Sequence, residues 1–266
     1  MIAGIMHSGS GLGDQLFRYI TVRTLAEKKG YEWGFVYGFD GNPAGFKGEE
    51  FMKLEWGGPV IPNQVTKKWE EKCIRDEVGN DVRSFDPESQ FVQDNTIIDG
   101  SFEDDKYWRH NLDNISKWLE IEPMPPTEGE CVIGFRGGEY YSDPDLGLPK
   151  EYYIEALNKI PTQNHYEVQT DDSELAKDFF SFRKDIQIIE NQKISHSKHS
   201  NMAYNWAKMR YAKYAIIPNS AFYILPRILK HHEDPSAVTI APRYWARRNT
   251  KVWSRPACYY PEFLYV

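Results

Sequence analysis

The sequence predicts an α/β protein made of two Rossmann-like halves, and three observations lead there. After residue 130, short apolar runs alternate with segments of helical periodicity, giving five strands and four helices on short connections. Such alternation implies a mostly parallel sheet. The N-terminal block also opens as strand, glycine-rich loop, helix. Between the blocks, "IEPMPPTEGE" (residues 121 to 130) carries three prolines, a glycine and several acids, the composition of a domain boundary. The division expected is therefore 1–125 and 126–266.

In the first half, "IAGIM" reads as a strand and "HSGSGLGD" as a loop. "QLFRYITVRTLAEKKG" reads as an amphipathic helix stopped by Gly30. "YEWGFVYG" is a second strand. "QVTKKWEEKCIRD" has the look of a helix, "NTIIDGSF" of a strand and "DDKYWRHNLDNISKWLEI" of a long helix. In the second half, "CVIGF", "YEVQT", "IQII", "YAIIP" and "AVTIA" are strands. "PKEYYIEALNKI", "DSELAKDFFSF", "NMAYNWAKMRYA" and "SAFYILPRILKHH" are the helices between them. Pro226 should kink the last helix or mark its first turn.

The chain has 266 residues, 41% of them hydrophobic, enough for a sizeable core. Aromatics reach 15%, a content that serves either a rich core or the stacking of sugars and bases. The net charge of −7 argues against nucleic-acid binding, which wants a basic surface, but not against one anionic small molecule in a local basic site. Cys73, Cys131 and Cys258 are scattered and read as free thiols of a reducing compartment. The N-terminus lacks the pattern of a signal peptide, and no apolar run reaches the roughly 18 residues of a membrane span. A soluble, cytoplasmic protein is expected.

Four stretches carry chemistry. In "SGSGLGDQLFRY", Gly9, Gly11 and Gly13 would let backbone N–H groups approach an anion at a helix N-terminus, although the spacing is not that of a dinucleotide fingerprint. A glycine-rich turn with no ligand explains them as well. In "GFRGGEYY", Arg136 at a strand end can grip phosphate oxygens, Gly134, Gly137 and Gly138 leave room, and Glu139 can orient the arginine; a surface Arg–Glu pair is the plain alternative. In "YEVQTDD", a carboxylate at the carboxyl edge of a parallel sheet can accept hydrogen bonds from the N1–H and 2-amino edge of guanine, and Asp172 can also cap a helix. In "IIPNSAFYILPRIL", Asn219 and Ser220 precede a helix, as a second anion cradle or as ordinary capping residues. His196 and His199 lack the partners of a metal site, and no metal is expected.

Together these stretches resemble glycosyltransferase family 11, the α-1,2-fucosyltransferase family, in order along nearly the whole chain. "SGLGDQLFRY" is similar to the family's "GGLGNQLFQYA", "DGSFEDDKYW" to "GYFQSEKYF" and "GFRGGEYY" to "HIRRGDY". "VQTDDSELAK" is similar to "VFSDDIEWAK", "IIPNSAFYILPRIL" to "IIANSSFSWWGAWL" and "TIAPRYW" to "VIAPKKW". The resemblance implies a GT-B fold, two Rossmann-like halves facing a cleft. The acceptor side would be N-terminal and the nucleotide-sugar donor would bind mainly to the second half. It implies inverting transfer of fucose from GDP-fucose to a hydroxyl of a glycan acceptor, with no metal or other cofactor. Arg136 would contact the donor diphosphate, Ser220 and Phe222 its phosphate oxygens, and Asp172 would help read guanine.

The departures fall on the same stretch: the family's histidine is Gly134, its second arginine Gly137 and its aspartate Glu139, and an asparagine has become Asp14. With no metal, Arg136 and the N–H groups near Ser220 must stabilise the leaving diphosphate. The acceptor's proton would go to a carboxylate among Asp14, Glu103 and Asp105, with Asp14 preferred. Two rival readings stay open. One is a non-catalytic nucleotide-sugar or glycan binder with a degenerate site. The other is a dinucleotide enzyme using the N-terminal glycines, with Asp40 as its ribose acid.

Overall fold

The computed structural model describes residues 1–7, 9–36, 45–60, 65–75, 79, 81–124, 128–189, 201–247 and 251–266. Asp40, His196, His199 and the centre of the proline-rich stretch, residues 125–127, lie outside the described residues. The chain divides into two units, the first containing Met1–Asp76 and Asp81–Glu120, the second Ile121–Val266.

The first unit is built on a four-stranded parallel sheet. Its strands are β1 (Ile2–Ile5), β2 (Trp33–Val36), β3 (Lys67–Glu70) and β6 (Thr96–Asp99), in the spatial order β2-β1-β6-β3. Helix α1 (Leu12–Lys29) buries Leu16, Phe17, Tyr19, Ile20 and Val22 and ends at Gly30, whose φ of 68° is the left-handed conformation glycine tolerates best. It starts three residues before the predicted Gln15, because the Asp14 carboxylate turns back to accept the Gly11 N–H at 3.2 Å and completes the first turn. Gly4 on β1 is where α1 comes closest: a Cβ there would lie 2.5 Å from Val22 and 2.7 Å from Phe35.

Two helices expected from the sequence are corrected. The stretch "QVTKKWEEKCIRD" gives β3 and β4 (Ile74–Arg75), the latter in a two-stranded antiparallel pair with β5 (Asp81–Val82). As an edge strand β3 leaves both lysines exposed and sets only Trp69 against Phe102, so it lacks the alternating apolar signal. The second stretch is helical only over α2 (Leu112–Trp118). Asp104 caps a short 3-10 turn through the Lys106 N–H, and Trp108, at φ −138°, interrupts the run to donate its indole N–H to the Phe102 carbonyl.

The second unit is a six-stranded parallel sheet with the spatial order β12-β11-β10-β7-β8-β9. The predicted strands appear as β7 (Glu130–Phe135), β8 (His165–Thr170), β9 (Ile186–Ile189), β10 (Tyr214–Ile216) and β11 (Val238–Ala241). A two-residue β12 (Leu264–Tyr265) was not legible beforehand. Counted from β7, this is the 3-2-1-4-5-6 order of the doubly wound dinucleotide-binding sheet, with its switch point between β7 and β10. The predicted helices are α4 (Lys150–Lys159), α5 (Ser173–Phe179), α6 (Asn201–Tyr211) and α7 (Ala221–Glu233); a short α3 (Gly138–Ser142) is added, and α7 continues through Pro226.

The core of this unit gathers Ile133, Phe135, Tyr153, Leu157, Val168, Phe180, Ile216 and Ile240. Cys131 lies in it, and burial pushes its thiol up to about 12, so it packs as an inert apolar group. Arg227 of α7 is fully buried. It donates to the carbonyls of Met209 (2.9 Å), Ala212 (2.7 Å) and Val238 (3.2 Å) and to Thr239 Oγ1 (2.8 Å), which ties the end of α6 to β11. Among the described residues no helix is long and apolar enough to cross a membrane.

Candidate functional site

In parallel α/β sheets, ligands bind beyond the carboxyl ends of the strands, where the strand order changes direction. In the second unit that place is bracketed by Arg136, just after β7, and by Asn219 and Ser220, just after β10. Arg136 is held from two sides. Its Nη2 donates to Glu139 Oε1 at 2.9 Å, and its Nε lies 3.4 Å from Asp171 Oδ2. The Tyr140 ring sits 5.0 Å below the guanidinium. Asp171 also accepts the Gly137 N–H at 2.7 Å, fixing the turn that aims the arginine. Sequence reasoning favoured Asp172 of the two adjacent acids and missed this role of Asp171. Asp172 is the N-cap of α5, its Oδ1 accepting the Leu175 N–H at 3.0 Å.

The glycines of this loop do different work from that expected. A Cβ at Gly134 would lie 2.7 Å from both Pro218 and the Tyr223 ring, so the space above β7 is filled by side chains rather than open to a ligand. A Cβ at Gly137 would lie 2.5 Å from that of Asp172. Both positions are therefore corrected from ligand clearance to packing. Gly138, at φ 35° with little around it, leaves space at the start of α3.

Asn219 is buried, and its amide N–H groups go to the carbonyls of Leu146 (2.9 Å) and Trp245 (2.6 Å). Through these two bonds it clamps two loops under the site, while its Oδ1 stays without a hydrogen-bond partner among the described residues. Ser220 occupies the N-cap position of α7 but its hydroxyl does not cap the helix, which leaves that hydroxyl and the first N–H groups of α7 at the strand end. Phe222 packs edge-on against Trp206 at 5.7 Å and Tyr223 at 5.0 Å.

In the first unit the change in strand order falls between β1 and β6. Gly11 is the N-cap of α1 and Gly13 is buried within its first turn, so the predicted glycine loop is shorter than expected. Asp14 Oδ2 already accepts the Gly11 N–H, and a phosphate arriving there would meet a carboxylate. The anion cradle expected at Gly11 and Gly13 is corrected on that ground. Gln15, wholly buried, holds the loop by donating to the carbonyls of His7 (3.2 Å) and Gly45 (2.5 Å) and accepting the Lys47 N–H (2.9 Å).

Beyond the strand ends is a cavity of about 280 Å³ lined by His7, Arg18, Glu70, Glu71, Arg83, Asp99, Gly100 and Ser101. His7 Nε2 lies 3.0 Å from Asp99 Oδ1. Glu71 accepts the N–H groups of Ser101 (2.7 Å) and Phe102 (3.2 Å), and burial raises its carboxyl above the usual range. Burial also raises Asp14 against the pull of Arg18, and burial with the nearby charges of Asp14 and Glu71 lifts Glu103 to about 7. Asp105 is paired with Arg109.

Elsewhere in the second unit, Glu130, His165 and Glu167 bring their donor atoms together near the amino ends of β7 and β8. The Lys208 ammonium already sits there, 2.7 Å from Glu130 and 3.6 Å from Glu167, on the opposite edge of the sheet from Arg136.

No protein-family model matches the chain, and no curated protein matches it. Solved structures do. POFUT1 in complex with GDP-fucose is 10% identical, with 90% of this chain and 96% of that chain covered at a TM-score of 0.51. Fucosyltransferase NodZ from Bradyrhizobium is 13% identical over 85% and 93% of the two chains, at a TM-score of 0.44. The E. coli heptosyltransferase WaaC with ADP is 11% identical over 99% and 92%, at a TM-score of 0.43. Likeness at such identity concerns the fold, and with two parallel-sheet α/β units that fold is of the GT-B type.

Proposed function

We propose that the chain is a metal-independent, inverting glycosyltransferase that moves fucose from GDP-fucose to a hydroxyl of a glycan, in the manner of the α-1,2-fucosyltransferase family its motifs resemble. The observation that carries this reading is the switch point of the second unit, where Arg136 after β7 and the N-terminus of α7 after β10 stand at the ends of neighbouring strands. Breaking the sugar–phosphate bond builds negative charge on the departing diphosphate. A guanidinium and the first N–H groups of a 13-residue helix stabilise that charge without a metal. Asp172 keeps Oδ2 for the guanine edge while Oδ1 caps α5. The solved structure of similar fold that holds GDP-fucose supports the same donor class.

A thermal-shift panel of nucleotides and nucleotide sugars, followed by nucleotide release in EDTA, tests this. Saturation at a hundredfold excess over Kd stabilises by about 2.7 kcal/mol. GDP should bind more tightly than UDP or ADP, because guanine offers a carboxylate two adjacent donors, N1–H and the 2-amino group, where uracil and adenine each offer one. Preferential UDP binding would remove the fucosyl assignment, and activity lost in EDTA but restored by Mn²⁺ would remove metal independence.

A second reading, a nucleotide-sugar or glycan binder with no turnover, is favoured by one observation: Arg136 is already paired with two carboxylates, Glu139 and Asp171. Release of GDP from GDP-fucose, with or without an acceptor, decides against it.

A further inference from the structure

The proposed reaction needs a group to receive the acceptor's proton, and the carboxylate favoured from the sequence is committed elsewhere. Asp14 does not line the cavity of the first unit, and its Oδ2 closes its own helix N-terminus on Gly11. What stands at the discontinuity in strand order is a different pair. His7 follows β1, Asp99 ends β6, and their hydrogen bond of 3.0 Å spans the two neighbouring strands at the carboxyl edge of the sheet. With Nε2 donating to Asp99, the lone pair of the imidazole is on Nδ1, which has no hydrogen-bond partner among the described residues. A base oriented by a carboxylate in this way is the arrangement that activates hydroxyl nucleophiles on unrelated folds.

The cavity also states what kind of molecule it suits. Its charged lining comprises Arg18 from α1, Arg83 after β5, Glu70 and Glu71 at the end of β3, and Asp99. Two guanidiniums against three carboxylates leave no site for a strongly charged ligand of either sign. Guanidiniums donate and carboxylates accept, so a neutral polyhydroxyl compound, whose every hydroxyl does both, satisfies both kinds of group.

Resting on the glycosyl-transfer reading above, we propose that this cavity receives a neutral saccharide acceptor and that His7, positioned by Asp99, is the general base of the transfer. In that step the acceptor oxygen forms its bond to the anomeric carbon as the carbon–phosphate oxygen bond breaks. The leaving nucleoside diphosphate keeps the electron pair. The hydroxyl proton passes to His7 Nδ1, and the imidazolium is held by Asp99 until it gives the proton to solvent.

The test measures nucleotide release from GDP-fucose across pH with a panel of neutral mono- and disaccharides, for wild type, His7→Gln, His7→Asn and Asp99→Asn. His7→Gln and His7→Asn should lower kcat by about a hundredfold or more, within the range of a positioned base, and remove the fall in rate on acidification. GDP affinity and melting temperature should stay at wild-type values. Asp99→Asn should cost about tenfold in kcat with KM for the saccharide unchanged, since the carboxylate that orients the imidazole is gone. If either His7 variant that keeps the wild-type melting temperature turns over at the wild-type rate with the wild-type pH profile, the proposal is overturned while the transferase reading stands. If wild type releases no nucleotide with any saccharide, the transferase reading fails and takes this proposal with it. Loss of melting temperature in both His7 variants would make His7 structural and overturn it as well.

Discussion

The two units present the same kind of edge with opposite chemistry. Both are parallel sheets whose consecutive strand order is broken at one place, between β1 and β6 in one and between β7 and β10 in the other. At the first turn stand a histidine and aspartate, with further carboxylates of Glu70, Glu71 and Glu103 nearby. At the second stand a guanidinium and the open N-terminus of a long helix. On the function proposed, one edge would hold neutral hydroxyls and receive a proton, and the other would receive negative charge. Backbone topology sets where chemistry can occur, and a few side chains at strand ends set which chemistry it is.

The sharpest way to break this contrast is Arg136→Ala. Losing a partly buried charge-assisted contact costs roughly 2–5 kcal/mol, so transfer should fall at least about a hundredfold with melting temperature unchanged, and Arg136→Lys should recover only part of it. Full transfer by the alanine variant would mean that the second edge is not the anion side.

Stability against pH sharpens the contrast from the other edge. Glu103 is held up to about 7 against an ordinary 4.5, so the folded chain keeps a proton that the unfolded chain has released. The stability this supplies is complete below about pH 4.5 and disappears as pH rises through about 7. The change should be on the order of 1–3 kcal/mol in urea denaturation, and Glu103→Gln should flatten it.

Gly134→His should destabilise by about 1–3 kcal/mol in the same assay, since it forces a side chain into the space of Tyr223 and Pro218. A neutral outcome would mean that this wall is soft enough to admit a ligand. Asp172 separates two roles: Asp172→Ala should cost about 1 kcal/mol of stability through the lost cap, whereas Asp172→Asn keeps the cap and should lose only the preference for GDP over UDP. The smallest effect belongs to Glu139→Gln. An exposed pair is worth at most about 1 kcal/mol, so GDP should bind up to about fivefold more tightly by calorimetry once Arg136 is released from it.

Much of the fold was legible because its central strands are short runs buried on both faces, such as "CVIGF" in β7 and "YAI" in β10, and such runs carry their signal locally. β3 was not, because an edge strand with exposed lysines has the charge pattern of a helix. Arg227 was not, because an arginine on an amphipathic helix reads as solvent-facing until the carbonyls it satisfies are brought to it. The placement of Arg136 and Ser220 just after strands was legible from the apolar runs before them. The His7–Asp99 pair was not, since its members are 92 residues apart and meet only when β1 and β6 become neighbours. Nor can sequence tell Asp171 from Asp172, although one holds the arginine loop and the other a helix. Glycines misled most: at Gly134 and Gly137 the missing side chain makes room for the protein itself.

The contact between Gly134 and Tyr223 makes two distant positions of the chain depend on each other. The stretches this chain resembles carry histidine where Gly134 stands and serine where Tyr223 stands. With the tyrosine ring in place, a histidine at 134 collides; with a serine at 223 and glycine at 134, a void remains. The two positions should therefore be energetically coupled: a larger side chain at 134 is tolerated only with a smaller one at 223, so neither can be exchanged alone without a defect.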